Sequence, residues 1–320
     1  MHNEVDKKIA DLIASSDRFL IVSHVRPDAD AAGSLLGLGL ALKDKGKDVQ
    51  MVLQDGAGSF RYLPHHDLIG RSPQGDVDSV IVVDCSDPDR VGDALTGYGA
   101  PDLVVDHHKT NLNFGIYNIV EPDQVATAAI IFDHLEAWGL SFSPDIASCL
   151  LSGIVGDTIG FRTSNVNAEV LRKSAELMDM GASLADIYQN ELVMKPYTAI
   201  RYWGSGLNRL QYEDGLVWTS LTLADRNEIG YAGNDDADLV NVLSAVKEAK
   251  IALIFVEQSS NEVKISWRAR PGYDVSGIAL DFGGGGHAAA AGADVMDSLQ
   301  NLQDTVISET KKILYNRRNG

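Results

Sequence analysis

Cysteine is nearly absent from this chain: two residues, Cys85 and Cys149, in 320. That excludes a disulfide framework and any zinc site built from thiolates. There is no run of about 18 apolar residues, which argues against a helical membrane span. The polar, amphipathic opening MHNEVDKKIADLIASSDRF also lacks the apolar core of a signal peptide. A cytoplasmic protein with no membrane partner is the simplest expectation. Basic residues are scarce too. Lys and Arg number 27 against 45 Asp and Glu, for a formal net charge of −18, and no basic run stands out except the short tail pair Arg317-Arg318. Proteins that track long nucleic acids spread cations over one face and gain affinity by releasing counterions. Long nucleic acid is therefore not an expected partner, and a phosphate ester would have to be gripped in a local pocket.

The remaining composition, 45% hydrophobic and 22% charged, is that of an ordinary soluble protein long enough for two domains. Short apolar strands alternate with helical segments in the first half. Residues 2–16 read as a helix, 19–23 as a strand and 31–45 as an apolar, glycine-containing helix. Residues 49–53, 79–83 and 102–105 are Val/Ile/Leu-rich strands, and helices follow over 126–138, 144–155 and 168–180, the last closed by Gly181. This alternation predicts an α/β fold with a mainly parallel sheet and helices on both faces. The pattern lapses over 191–209, the expected linker. Beyond it a smaller α/β domain is predicted: strand 216–221, helix 238–247, a hairpin-like pair at 251–257 and 262–268, a glycine run at 283–286 and a final helix over 298–315. The expected domains are thus 1–190 and 210–320, with a cleft between them.

Acidic and imidazole side chains cluster after the predicted strands. His24-Val-Arg-Pro-Asp28-Ala-Asp30 follows the first strand, Asp84 follows Val80-Ile-Val-Val83, and Asp106-His107-His108 follows Leu103-Val-Val105. A fourth cluster is Gly153-Ile-Val-Gly-Asp157-Thr158. Parallel sheets bind ligands at the carboxyl ends of their strands, so the first three clusters are placed to converge. Taken singly, an Asp after a strand is usually a helix N-cap, and a lone His is usually a hydrogen-bonded core or surface residue. Four such clusters together favour a metal centre. Oxygen and imidazole donors without thiolate suit Mn²⁺ or Mg²⁺. His24, Asp28, Asp30, Asp84, His107 and Asp157 are enough for two cations about 3.5–4 Å apart that share a carboxylate.

These motifs, HVRPDAD at 24–30, VVDCSDPDR at 82–90, the Asp106-His107-His108 triplet and GIVGDTIGF at 153–161, resemble those of the DHH phosphoesterase superfamily. The run Phe282-Gly-Gly-Gly-Gly-His287 resembles the mark of the DHH-associated domain, and together the two domains cover most of the chain. Within the superfamily the resemblance is to the nanoRNase/pAp-phosphatase group. It implies two-metal hydrolysis of very short oligoribonucleotides or of 3′-phosphoadenosine 5′-phosphate, with linear or cyclic dinucleotides as further substrates.

By that resemblance the six side chains above bind two Mn²⁺ ions, with Mg²⁺ as the alternative, and Asp84 is the shared ligand. His108 stays off the metals and touches the scissile phosphate, and Asp106 orients the histidines. Arg268 and His287 hold the substrate's terminal phosphate, with the amides of Gly284, Gly285 and Gly286 lining that pocket, since consecutive glycines let N–H groups approach an anion. The expected partners are short oligoribonucleotides or mono- and dinucleotides, and a homodimer is compatible with the reading. Two positions depart from the family's habit: Ile159 stands where glycine is common after Asp-Thr, and Ala269 where serine commonly follows the arginine. A DHH-type pyrophosphatase is disfavoured by the glycine–histidine run, a RecJ-like exonuclease by size and charge, and a non-catalytic nucleotide sensor by the completeness of the ligand set. His65, His66 and His134 are read as structural, and Cys85 as packed behind the sheet.

Overall fold

The computed structural model describes residues 4–316; residues 2 and 3 of the expected first helix, and the pair Arg317-Arg318, lie outside them. Two compact units result, Met1–Met194 and Lys195–Gly320. The first runs α1 (Glu4–Ser15), β1 (Arg18–Val22), α2 (Ala29–Asp44), β2 (Asp48–Val52), β3 (Ile69–Gly70), β4 (Ser79–Val83), β5 (Leu103–Asp106), β6 (Tyr117–Val120), α3 (Thr127–His134), α4 (Pro144–Asp157), α5 (Ala168–Asp179) and α6 (Leu184–Tyr188). Its sheet has the order β3-β2-β1-β4-β5-β6, and every pairing is parallel. The order reverses between β1 and β4, which makes a topological switch point there.

Side-chain alternation sorts this sheet into two apolar faces. Phe19, Ile21, Ile81, Val83, Leu103 and Val105 face the larger core, where residues of α1 to α5 pack. Leu20, Val22, Val80, Val82 and Val104 face a smaller one with Cys85 and Val91. The expectation of helices on both faces therefore needs correction. Right-handed crossovers send the β1-to-β2 and β4-to-β5 connections over opposite faces, and the second of these carries only the 3₁₀ segment Pro88–Leu95. Helix α2 is buried from Ala29 to Leu42, as a sequence apolar on all sides apart from Asp30 and Ser34 requires.

The second unit runs α7 (Tyr197–Asn208), β7 (Gln211–Glu213), β8 (Leu216–Leu221), α8 (Leu223–Ile229), α9 (Leu239–Leu243), β9 (Ile251–Ser259), β10 (Glu262–Ala269), α10 (Ser276–Asp281), β11 (Gly285–His287), β12 (Ala290–Val295) and α11 (Leu299–Asn316). Its mixed sheet has the order β11-β12-β10-β9-β8-β7, and only β8 and β9 pair in parallel. Most of the expected linker is helix α7. Ala199, Tyr202 and Gly206, at helical spacing, bury one face of it, with Tyr202 packed on Val217, Leu221 and Leu239. Gly204 and Gly206 lower helix propensity and hid this periodicity.

Candidate metal centre

The switch point collects the four clusters. His24 leaves β1 buried, its Nδ1 2.9 Å from the Val25 carbonyl, so that the proton sits on Nδ1 and Nε2 faces inward. Nε2 lies 3.6 Å from Asp84 Oδ2 and 3.9 Å from Asp28 Oδ2. Asp28 is also the N-cap of α2 and accepts the Ala31 amide at 3.0 Å through Oδ1, so capping and site roles coincide in one residue. Asp30, fully buried, accepts the Thr127 and Ala128 amides at 2.6 and 2.9 Å and the Ser34 hydroxyl at 3.1 Å.

Asp84 follows β4 in the left-handed region, with φ 53°, and its amide donates to the Val105 carbonyl. Its Oδ1 stands 3.7 Å from His107 Nε2 and 3.7 Å from His108 Nδ1, while Oδ2 faces His24. His107 Nε2 is also 3.1 Å from Asp157 Oδ2. Asp157 ends α4, where a carboxylate meets the negative end of the helix dipole, a placement that stability alone disfavours. It arrives there because α2 and α4 pack closely through glycine. A Cβ on Gly153 would stand 2.6 Å from Asp30 Oδ1, and one on Gly156 2.5 Å from Ala29 Cβ.

Ligand atoms gather within 4.8 Å of one another in three sets: His24, Asp28 and Asp84; Asp30, His107 and Asp157; and Asp84, His107 and His108. In the third, His108 Nδ1 is already 2.7 Å from Asp106 Oδ1. Asp106 is in turn held by Asn111 Nδ2, which donates to its Oδ2 at 2.6 Å.

Electrostatics follow from the crowding. Loss of solvent and the charges of Asp84 and Asp157 push Asp28 up to about 6, and the same causes drive Asp30 well upward. For Asp28 the repulsion is the firmer cause, since 57% of its side chain stays exposed. Burial would raise Asp84, but the imidazoles of His24, His107 and His108 outweigh it and hold Asp84 well below the carboxylate range. Burial would lower His107, but Asp157 and Asp84 raise it to about 10. Asp106 and Asp84 likewise raise His108 against burial. Carboxylates forced together out of water, faced by imidazole nitrogens, make a donor set that divalent cations fit.

Several contributors were not evident from sequence: Thr127, whose hydroxyl donates to Asp84 Oδ1 at 3.0 Å, Asn111 behind Asp106, and Arg90, whose guanidinium reaches within 3.5 Å of His24 Nδ1. Thr127 fell only within the helix expected over 126–138. Arg90 did fall inside a quoted motif. Left-handed backbone also concentrates here, at Arg26, Asp84, Ile159 and Phe161. Ile159, at φ 49°, shows why glycine is favoured at that position. Three further histidines are occupied away from this site, His134 by Asp6 and Glu121, His65 by Asp145 and His66 by the Leu63 carbonyl. Cys85 lies in the smaller core, its thiol pushed up to about 12 by burial.

In the second unit, His287, Ala290 and Arg268 stand abreast on adjacent strands, so their side chains share one face of the sheet with a small residue between. Asn241 Oδ1 accepts from Arg268 Nε at 3.0 Å, and the Trp267 carbonyl accepts from Nη1 at 3.0 Å. Ala269 packs on the core of the opposite face, so a hydroxyl there would point away from Arg268. The glycine run is not an open nest of amides. Gly283 and Gly284 donate to the Leu280 and Ala279 carbonyls, and 285–287 form edge strand β11. Glycine is required there by close approach, because a Cβ on Gly284 would stand 2.0 Å from the Gly292 carbonyl oxygen.

A parallel sheet of order 3-2-1-4-5-6 with carboxylates and imidazoles gathered at its switch point is the framework of a metal-dependent hydrolase. Comparison with known proteins makes this specific. Residues 18–154 match the N-terminal domain of the DHH family, and residues 226–312 match the DHHA1 domain. The chain is 36% identical over 305 residues to the bifunctional oligoribonuclease and PAP phosphatase NrnA of Thermus thermophilus, covering 92% of this chain and 91% of that one. It is 29% identical over 312 residues to the protein of the same name from Mycoplasma genitalium, covering 95% and 96%. A crystal structure of an exopolyphosphatase-related protein from Bacteroides fragilis shares the fold, with a TM-score of 0.86 and 22% identity over 98% of this chain and 96% of that one. The chain belongs to the DHH family of phosphoesterases and, within it, to the NrnA-like group.

Proposed function

We propose that this chain hydrolyses phosphate esters in short nucleotides, namely short oligoribonucleotides and 3′-phosphoadenosine 5′-phosphate, with linear or cyclic dinucleotides as further substrates. The observation that carries the reading is Asp84, whose two oxygens face two different donor sets, Oδ2 toward His24 and Oδ1 toward His107. His24, Asp28 and Asp84 would hold one divalent cation, and Asp84, Asp30, His107 and Asp157 a second. The imidazoles among these donors favour Mn²⁺ over Mg²⁺, which prefers oxygen alone. Bound there, divalent ions supply an acidified water and offset the charge that builds on the phosphoryl oxygens.

The remaining chemistry falls to side chains. Asp106 holds His108 through Nδ1 and makes the ring more basic, orienting Nε2 for a hydrogen bond to the scissile phosphate. Asn111 keeps Asp106 from turning away. Arg268 and His287 would receive the substrate's terminal phosphate. Support for this is that they share one sheet face and that Asn241 fixes the guanidinium. With the Gly283 and Gly284 amides already bonded, Gly284 acts there by shape, and Gly285 and Gly286 line the edge as part of β11. The reading takes the first unit as the catalytic domain and the second, helix α7 included, as the substrate domain of a cytoplasmic enzyme. No helix among the described residues is long and apolar enough to cross a membrane.

The test is a panel assay of purified protein with Mn²⁺ or Mg²⁺ on RNA of 2 to 5 and about 30 nucleotides, 3′-phosphoadenosine 5′-phosphate, dinucleotides and pyrophosphate. Turnover of the short nucleotides above the long RNA and pyrophosphate is expected. Preference for pyrophosphate or for long RNA would overturn the assignment.

A further inference from the structure

Helix α3 begins beside the metal centre, and its first residue, Thr127, is fully buried. The residue before it, Ala126, offers no side-chain cap, and the orphan amides of Thr127 and Ala128 are taken instead by Asp30 of α2. One turn of backbone thus fixes Asp30 without help from the Thr127 side chain. The side chain has a separate partner, its hydroxyl donating to Asp84 Oδ1 at 3.0 Å.

That oxygen is the one facing His107 and His108, each 3.7 Å away, whereas Oδ2 faces His24 at 3.6 Å. A carboxylate turning freely about its Cβ–Cγ bond would exchange these faces or lie between them. A hydroxyl on one lone pair of Oδ1 stops the rotation, leaving the other lone pair for the His107 side and both lone pairs of Oδ2 for the His24–Asp28 side. We propose that Thr127 is a positioning residue that assigns each Asp84 oxygen to its own donor set, so that two divalent ions can be held together. This rests on the two-cation reading above and adds a side chain that reaches the ions through Asp84, while its own backbone amide serves Asp30.

The test titrates Mn²⁺ into metal-stripped full-length protein by calorimetry and measures kcat and KM on a short RNA. Thr127→Val keeps size and branching and deletes the hydroxyl, Thr127→Ala repeats the deletion should the valine variant fail to fold, and Thr127→Ser keeps the hydroxyl. Wild type and Thr127→Ser are expected to bind two ions. The deletions should retain the first and weaken the second by about 10- to 100-fold, with kcat lowered, KM within about twofold of wild type, and kcat recovering as Mn²⁺ is raised. Two ions at wild-type affinity in a deletion variant would overturn the proposal alone, as would failure of Thr127→Ser to rescue. A single ion in the wild type would overturn the two-cation reading and this proposal with it.

Discussion

Replacing Gly153 by Ala sets helix propensity against site geometry. In an unconstrained helix the change stabilises by about 0.8–1 kcal/mol. Here the added methyl would stand 2.6 Å from Asp30 Oδ1, 2.7 Å from Ala128 Cβ and 3.2 Å from Asp30 Cα. The carboxylate cannot swing aside freely, because the Thr127 and Ala128 amides and the Ser34 hydroxyl hold it. Relief requires α2, α3 and α4 to shift, and overpacking of this kind costs about 1–3 kcal/mol. The two effects nearly offset in stability, leaving a loss of about 0–2 kcal/mol, but they do not offset at the site. Displacing Asp30 by even about 1 Å should lower turnover on the order of 100-fold. Gly204→Ala is the control, since a Cβ there meets nothing within 4 Å. It should stabilise by up to about 1 kcal/mol and leave activity unchanged. Urea denaturation with Mn²⁺ titration and steady-state rates reads both variants. A Gly153→Ala protein that binds two ions at wild-type affinity and turns over normally would refute the reasoning.

Ile159→Gly should stabilise by about 0.5–1 kcal/mol, because relief of a β-branched residue at φ 49° exceeds the entropy glycine adds to the unfolded chain; a lower urea midpoint would count against this. Arg268→Ala should leave Mn²⁺ content unchanged and raise KM roughly 10- to 150-fold, from the loss of about 1.5–3 kcal/mol of charge-assisted contact. Equal loss of activity on a chromogenic phosphodiester that has no terminal phosphate would contradict that division of labour. Burial would raise Asp225, but the two-pronged contact from Arg209 and the bonds from Thr222 lower it from 3.8 to about 2. A depressed carboxylate stabilises the fold above its unfolded value. That contribution, about 1 kcal/mol after allowance for solvent around the 42%-exposed Arg209, should be present above pH 4 and vanish as the pH falls toward 2. Asp225→Asn should lose stability at pH 6 and become nearly equal to wild type at pH 2, as read by urea midpoints.

The cluster of candidate donors was legible in the sequence because its members sit at the boundaries of strongly patterned elements. Val80 to Val83 and Leu103 to Val105 are continuous apolar runs, so the polar residues after them stood out. Asp157 was legible by composition, but its approach depends on Gly153 and Gly156 meeting α2, a contact between residues far apart in sequence. Thr127 and Asn111 were not legible, since each acts through one hydrogen bond to a distant carboxylate and neither type is distinctive. Strand β12 escaped because its Ala-Ala-Gly-Ala segment has neither alternation nor β-branching, and it is held by pairing with β10 and β11. Without it the glycine run read as a loop of outward amides.

Hydrolysis by this site requires that two cations share Asp84. Crystals soaked in Mn²⁺ and measured at the manganese absorption edge should show two anomalous peaks flanking the Asp84 carboxylate, one beside His24 and Asp28 and one beside His107 and Asp157. A single peak, or peaks away from Asp84, would contradict it.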